Sequence, residues 1–159
     1  MKKVGFLAKL KREGILELVE PSEEIMQSYL KKSESYLGSA KILLQSDHLE
    51  ESVSMAYYSM YHLLTALLFI TGIKCENHAA SIILLTELFG IDNAKIAFAK
   101  RERIDKQYYV DFQITKEEAL DIIKIAEEFS AELTDFISRL NTEQIQRYRE
   151  TLEELVGKT

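Results

Sequence analysis

Between Ser52 and Ile73 the chain runs for 22 residues without one Asp, Glu, Lys or Arg, although charged residues make up 29% of the whole. A helix of that length is about 33 Å long, enough to span a bilayer of about 30 Å. Such a segment is either a membrane span or a helix covered on nearly every side. Its first half argues against the span, because Ser52, Ser54, Tyr57, Tyr58, Ser59, Tyr61, His62 and Thr65 are polar or amphipathic, and the flanks lack a clear Lys/Arg bias. A buried helix over about residues 49–71 remains, with one side on its own bundle and the other on a second subunit. Twofold pairing of identical helices is the commonest arrangement of that kind, and Tyr58, Tyr61, His62 and Leu63 are its expected contact residues.

The rest of the chain supplies helices to pack around this one. Val4, Leu7 and Leu10 fall at helical spacing before Gly14, and residues 15–20 then run extended to Pro21. Ser22 caps a helix whose expected inner face is Ile25, Tyr29, Ser33, Tyr36, Ala40 and Leu43. Asp47 with Glu50 resembles a capping box for the uncharged helix. Further helices are expected at about 77–89, ended by Gly90, and at about 92–106, with 107–114 irregular. Thr115 with Glu118 is a second capping box, and the helix it opens carries Ala119, Ile122, Ile123, Ala126, Phe129, Leu133, Phe136, Ile137 and Leu140 on one stripe. Asn141 with Gln144 caps a charged, peripheral helix at 142–155. The fold class is all-α: an antiparallel up-and-down bundle of four to five core helices with short helices at both ends. Residues 1–21 form a lead-in, 22–140 the bundle and 141–159 a peripheral helix.

Composition narrows the function. At 159 residues with one cysteine, Cys75, the chain suits one domain with its own core and no disulfide, and a reducing cytoplasm is the expected compartment. The basic start MKKVGFLAKLKREG has neither the apolar run nor the cleavage site of a signal peptide and is expected to dock on the bundle. A formal charge of −6 argues against general nucleic-acid binding but permits a local cationic site. The sequence carries no Gly-rich phosphate loop, no HExxH and no paired-cysteine ligand set, so no metal and no cofactor is implied.

One stretch contrasts with the acidic whole. Lys95, Lys100, Arg101, Arg103 and Lys106 face only Glu102 and Asp105 between residues 95 and 106, a local excess of +3. Guanidinium groups match phosphate bidentately, and a tyrosine such as Tyr108 stacks on a base or bonds a phosphate oxygen. Arg103, Arg101, Tyr108 and His78 are therefore the candidate phosphate-binding residues, and Arg103, His78 and Tyr108 the candidates for catalysis. The bland alternative is a solvated helix end whose arginines pair with local carboxylates. His62, inside the uncharged helix, is expected to be a core or interface histidine bonded to a carbonyl.

The run SVSMAYYSMYHLLTALLFITGIKCENHAASIILLTELF and the later KRERIDKQYYVDFQITKEEALDIIKIAEEFSAEL together resemble the HEPN domain, named for higher eukaryotes and prokaryotes nucleotide-binding, in its prokaryotic, largely archaeal stand-alone branch. AYYSMYH at 56–62, GIKCENH at 72–78 and Arg103 with Gln107 and Tyr108 carry the likeness, which covers roughly residues 22–140. It implies a helical bundle, often a homodimer, commonly paired with a minimal nucleotidyltransferase in a toxin–antitoxin or related stress or defence module. Many members resemble metal-independent ribonucleases with an Arg-x(4 to 6)-His motif. Here neither Arg101 nor Arg103 has a histidine four to seven residues downstream; Tyr108 stands at the Arg103-x4 position, and His78 precedes both arginines. A nucleotide- or RNA-phosphate-binding role is expected, with ribonuclease activity or a catalytically silent interaction module as the alternatives.

Overall fold

The computed structural model describes residues 2–108 and 113–157, with side chains described for 2–104 and 113–157. Seven described helices surround one core: α1 (Lys2–Arg12), α2 (Glu23–Gln45), α3 (Leu49–Ile70), α4 (His78–Glu87), α5 (Ala94–Tyr108), α6 (Lys116–Ser138) and α7 (Thr142–Gly157). The chain is an all-α bundle. Two short strands, β1 (Leu16–Leu18) and β2 (Ile73–Cys75), pair antiparallel with Leu16 opposite Cys75 and Leu18 opposite Ile73. The extended segment after α1 was foreseeable; its partner after α3 was not, because three residues carry no readable alternation.

The α3 helix, charged only at Glu50 and Glu51 in its first turn, is the central one. It packs against α2, α5 and α6, with β2 and α4 also in contact with it, and Val53, Ala56, Tyr57, Met60, Leu63, Leu64 and Leu67 are essentially without exposure. Its own chain therefore supplies most of the cover that the sequence assigned in part to a second subunit. Leu63, expected at a dimer contact, is 1% exposed in the single chain and has no surface to offer. A half-buried strip remains along α3: Met55, Tyr58, His62, Thr65 and Phe69, at alternating intervals of three and four.

Small residues bring α2 and α3 close. Ser52 Oγ donates to Ala40 O at 2.7 Å, and Ser33 Oγ donates to Ser59 O at 2.6 Å, so each buried hydroxyl satisfies its need on the facing helix. Ser33 and Ala40 lie on the expected inner face of α2. At its ends the buried residues are Met26 and Leu44, one position further along than the predicted Ile25 and Leu43, and Ile25 is 39% exposed. Replacing Ser52 by leucine is expected to cost about 2–3 kcal/mol, from the lost bond and from overpacking; urea denaturation should show a lower midpoint at unchanged slope.

Caps set the helix limits. Ser22 accepts from Ile25 N, Asn77 from Ala80 N, and Thr115 with Glu118 forms the full reciprocal box. Asn141 and Gln144 cap each other at 2.8 and 3.0 Å. The Asp47 cap is a correction: the residue before α3 is His48, without a side-chain cap bond, and Asp47 turns the chain at φ 61°. The α5 helix begins at Ala94 rather than 92, after Asp92 accepts from Ala94 N, and continues through the predicted irregular start to Tyr108.

The two ends are less peripheral than their charge suggested. Leu7, Ala8 and Leu10 bury α1 against the core, and Leu152 of α7 is wholly buried. Arg149 of α7 reaches the turn between α3 and β2, where Nη1 donates to Val19 O (2.7 Å), Gly72 O (2.8 Å) and Thr71 O (3.2 Å). A cation here satisfies carbonyls at the C-terminal end of α3, where the helix dipole favours it.

Candidate active site

Helical register builds the site. In α3, Tyr57 and Tyr61 are one turn apart, as are Tyr58 and His62, so the AYYSMYH run presents two adjoining aromatic rows. In α5, Arg103 follows the fully buried Ile96 and Ala99 at intervals of three and four. That stripe aims Arg103 at α3, while Arg101 falls off it and is exposed, its guanidinium carbon 6.0 Å from the Phe98 ring centre. The β2 strand delivers His78 to the first position of α4, and Ser81, three residues on, shares its face.

These elements converge. The Arg103 guanidinium carbon lies 4.9 Å from the centre of the Tyr58 ring and 5.7 Å from that of Tyr57. The Tyr57 hydroxyl hydrogen-bonds His78 Nδ1 at 2.8 Å. Tyr61 stacks on His78 with ring centres 3.7 Å apart and planes 15° apart, and its hydroxyl is 3.4 Å from Ser81 Oγ. Tyr57 thus touches both Arg103 and His78, which the sequence could only place 25 positions apart. Among the described residues no carboxylate lies within ion-pair distance of Lys32, Lys100 or Arg103, and Arg103 Nε is buried without a partner. Lys95, from the same cationic stretch, is instead tied to Glu132 at 3.8 Å. Tyr108 ends α5, but its side chain lies outside the described residues, as does that of Lys106.

The electrostatics follow from burial beside cations. Burial, helped by Lys100 and Arg103, holds His78 below the ordinary imidazole range, so it is neutral near pH 7. Burial, reinforced by Tyr61 and opposed by Arg103, keeps the Tyr57 phenol protonated well above its usual 10. A protonated phenol and a neutral imidazole can bond in either sense. If Tyr57 donates, Nε2 of His78 carries a hydrogen; if Nδ1–H donates, Nε2 presents a lone pair.

His62 corrects the sequence reading, because neither ring nitrogen has a described hydrogen-bond partner, carbonyl or otherwise. It sits among Tyr36, Tyr29 and Tyr58, with ring centres 4.6, 5.8 and 6.2 Å away. Burial, then Lys32 and His78, lowers it from 6.5 to about 4. The unfolded chain then binds more protons than the folded one between about pH 6.5 and 4, so stability contributed by neutral His62 is complete above that window and lost as pH falls through it. Urea midpoints measured at pH 7.5, 6 and 5 should fall more steeply for the wild type than for His62→Phe; parallel declines would contradict this assignment.

Tyr57 is a site residue to which the sequence assigned no chemical role, and Lys100 was read only as one of the cationic stretch. Tyr57 was visible only as part of a tyrosine run. Among the described residues no three His, Cys, Asp or Glu side chains group as a metal-ligand set.

Two proteins of archaea share parts of this sequence. The "UPF0332 protein PH1297" of Pyrococcus horikoshii is 36% identical over 78 residues, which span 49% of this chain and 52% of that protein; the match thus covers about half the length of that relative. The "Putative toxin MJ0605" of Methanocaldococcus jannaschii is 30% identical over 113 residues, 67% of this chain and 84% of that protein. The HEPN domain profile matches residues 26–136, a span that contains the α3 tyrosines, His78 and Arg103, and the chain belongs to the HEPN domain family.

Proposed function

We propose that this protein binds a nucleotide or RNA phosphate between Arg103 and His78, as a toxin-like member of its family. The observation that carries the reading is the Arg103 guanidinium lying over Tyr57 and Tyr58 with no described carboxylate partner, beside a Tyr57–His78 hydrogen bond. A cation without a counter-ion among the described residues, at a half-buried position, favours an incoming anion. His78 with a hydrogen on Nε2 adds a neutral donor, and the tyrosine faces suit stacking of a base. Lys100 adds charge beside His78.

Homodimer formation through Tyr58 and His62 of the half-buried strip on α3, with Tyr61 beside it, belongs to the same proposal, as does a minimal nucleotidyltransferase partner of the kind the family resemblance implies. The Pyrococcus and Methanocaldococcus relatives support the family reading, and the name of the second supports toxin-like action. Calorimetric titration with short oligoribonucleotides tests the site. Wild type should bind, and Arg103→Ala should bind roughly 10- to 100-fold more weakly, as for a lost charge-assisted contact, with Arg101→Ala near wild type. Absence of binding by wild type, or equal binding by Arg103→Ala, would defeat the assignment.

One observation favours a second reading, RNA cleavage. The Tyr57 bond and the lowered basicity of His78 suit a general base at neutral pH. With Nδ1–H donated to Tyr57, Nε2 takes the proton of a ribose 2′-hydroxyl. The 2′ oxygen bonds to phosphorus, the bond to the 5′ oxygen breaks, and that oxygen is protonated by water. In this reading Arg103 stabilises the charge that gathers on the phosphoryl oxygens.

A further inference from the structure

The Arg103–His78 cluster adjoins a recess that the phosphate site does not use. A cavity of about 230 Å3 between α2, α3 and β2 is lined by Tyr29, Lys32, Phe69 and Cys75, together with Tyr61 and His62. The last two also belong to the cluster, through the Tyr61–His78 stack and the Tyr58–His62 contact. The two regions therefore adjoin across these side chains. From Arg103 the groups follow one another at 4.9 Å to Tyr58, 6.2 Å on to His62 and 5.8 Å on to Tyr29.

The wall of this recess is flat and aromatic, with a cation at its lip. Tyr29 and Phe69 stand parallel, ring centres 5.8 Å apart and planes 5° apart, and Lys32 Nζ lies 5.8 Å from the centre of the Tyr29 ring. Lys32 is exposed and has no described ion pair, whereas neighbouring Lys74 is tied to Glu76 at 3.2 Å. The volume falls below the roughly 300–1,000 Å3 of pockets that hold drug-sized ligands. It suits one planar heterocycle, whose attached phosphates would have to lie outside it.

We infer that the recess is a base subsite for single-stranded RNA. One base stacks against Tyr29 and Phe69, its phosphodiester passes His78 toward Arg103, and Lys32 meets the phosphate on the other side. Aromatic platforms joined to cations are the general means of holding unpaired nucleotides. The subsite rests on the phosphate-binding reading of Arg103 and extends it: the ligand has two or more nucleotides, and a free mononucleotide occupies only part of the site.

The test uses the full chain and tetraribonucleotides carrying 2-aminopurine at each position in turn, whose fluorescence falls when the base stacks. One position should be quenched most on binding. Tyr29→Leu and Lys32→Glu should each weaken binding roughly tenfold, the order expected for loss of a base–aromatic stack or a phosphate contact. Tyr29→Phe should bind like wild type, and adenosine monophosphate more weakly than the tetraribonucleotides. Lys32 is exposed, so its variant separates a binding effect from misfolding of Tyr29→Leu. Binding that needs Arg103 but ignores Tyr29→Leu and Lys32→Glu overturns the subsite alone; failure of wild type to bind, or indifference to Arg103→Ala, overturns the phosphate site with it.

Discussion

Gly72→Ala is expected to destabilise the fold by about 3 kcal/mol or more, the largest effect among the glycine-to-alanine changes. Gly72 adopts φ +73°, and a β carbon there would collide with the Arg149 guanidinium and approach Val19 O at 2.5 Å. The left-handed backbone alone costs an L-residue about 1–2 kcal/mol. Displacing Arg149 removes its bonds to Val19, Thr71 and Gly72 carbonyls, each worth up to about 1.5–3 kcal/mol because the donor is charged. Urea denaturation of Gly72→Ala, Arg149→Ala and the double variant gives the check. The double variant should lose less than the sum of the singles, since both disrupt one contact; strict additivity would show that Gly72 and Arg149 act independently. The same junction leads through β2 to His78, so Arg149→Ala should also weaken oligoribonucleotide binding without touching the site.

RNA cleavage supplies the second large effect. If His78 is the base, His78→Ala should lower the rate by roughly 10²- to 10⁴-fold, the usual contribution of a positioned acid or base. Tyr57→Phe removes the hydroxyl that fixes the imidazole but keeps the ring under Arg103, so it should cost less, about tenfold, with binding little changed. The pH profile carries the sign: cleavage needs neutral His78, whose proton affinity is lowered by burial, Lys100 and Arg103. The rate should rise with pH and level off below the ordinary imidazole value of 6.5, rather than above it. Gel assays with chelator present, on wild type and both variants across pH 4.5–8, measure this. Cleavage at the wild-type rate in both variants would mark a contaminating nuclease and end the second reading, leaving the binding site to be judged by titration.

The expected architecture was legible wherever local rules dominate. The α6 stripe needed only 3.6-residue periodicity and the Thr115–Glu118 box, and both are present. The burial of α3 followed from the 22-residue stretch without charge that begins at Ser52, because an ordinary surface helix carries ions along its length. The cover was misjudged in part, because periodicity cannot say whether a neighbouring helix comes from the same chain. Asp47 misled for a related reason: an Asx residue before a helix serves equally as a cap or as a left-handed turn residue, and the α2–α3 hairpin chose the turn.

By itself, then, the sequence determined the helical class, most helix limits, the family, and the residue types available for chemistry. Tertiary structure alone decided which of them meet. Tyr57 and His78 are 21 residues apart and Arg149 is 130 from Val19, so those contacts depend on how α4, α5 and α7 settle on α3, not on any local pattern. The same packing turns Arg103 inward and leaves Arg101 outside, although the two are chemically identical and separated by one residue. A helix advances by 100° per residue, so two positions place one guanidinium on the buried stripe over Tyr57 and Tyr58 and the other in water.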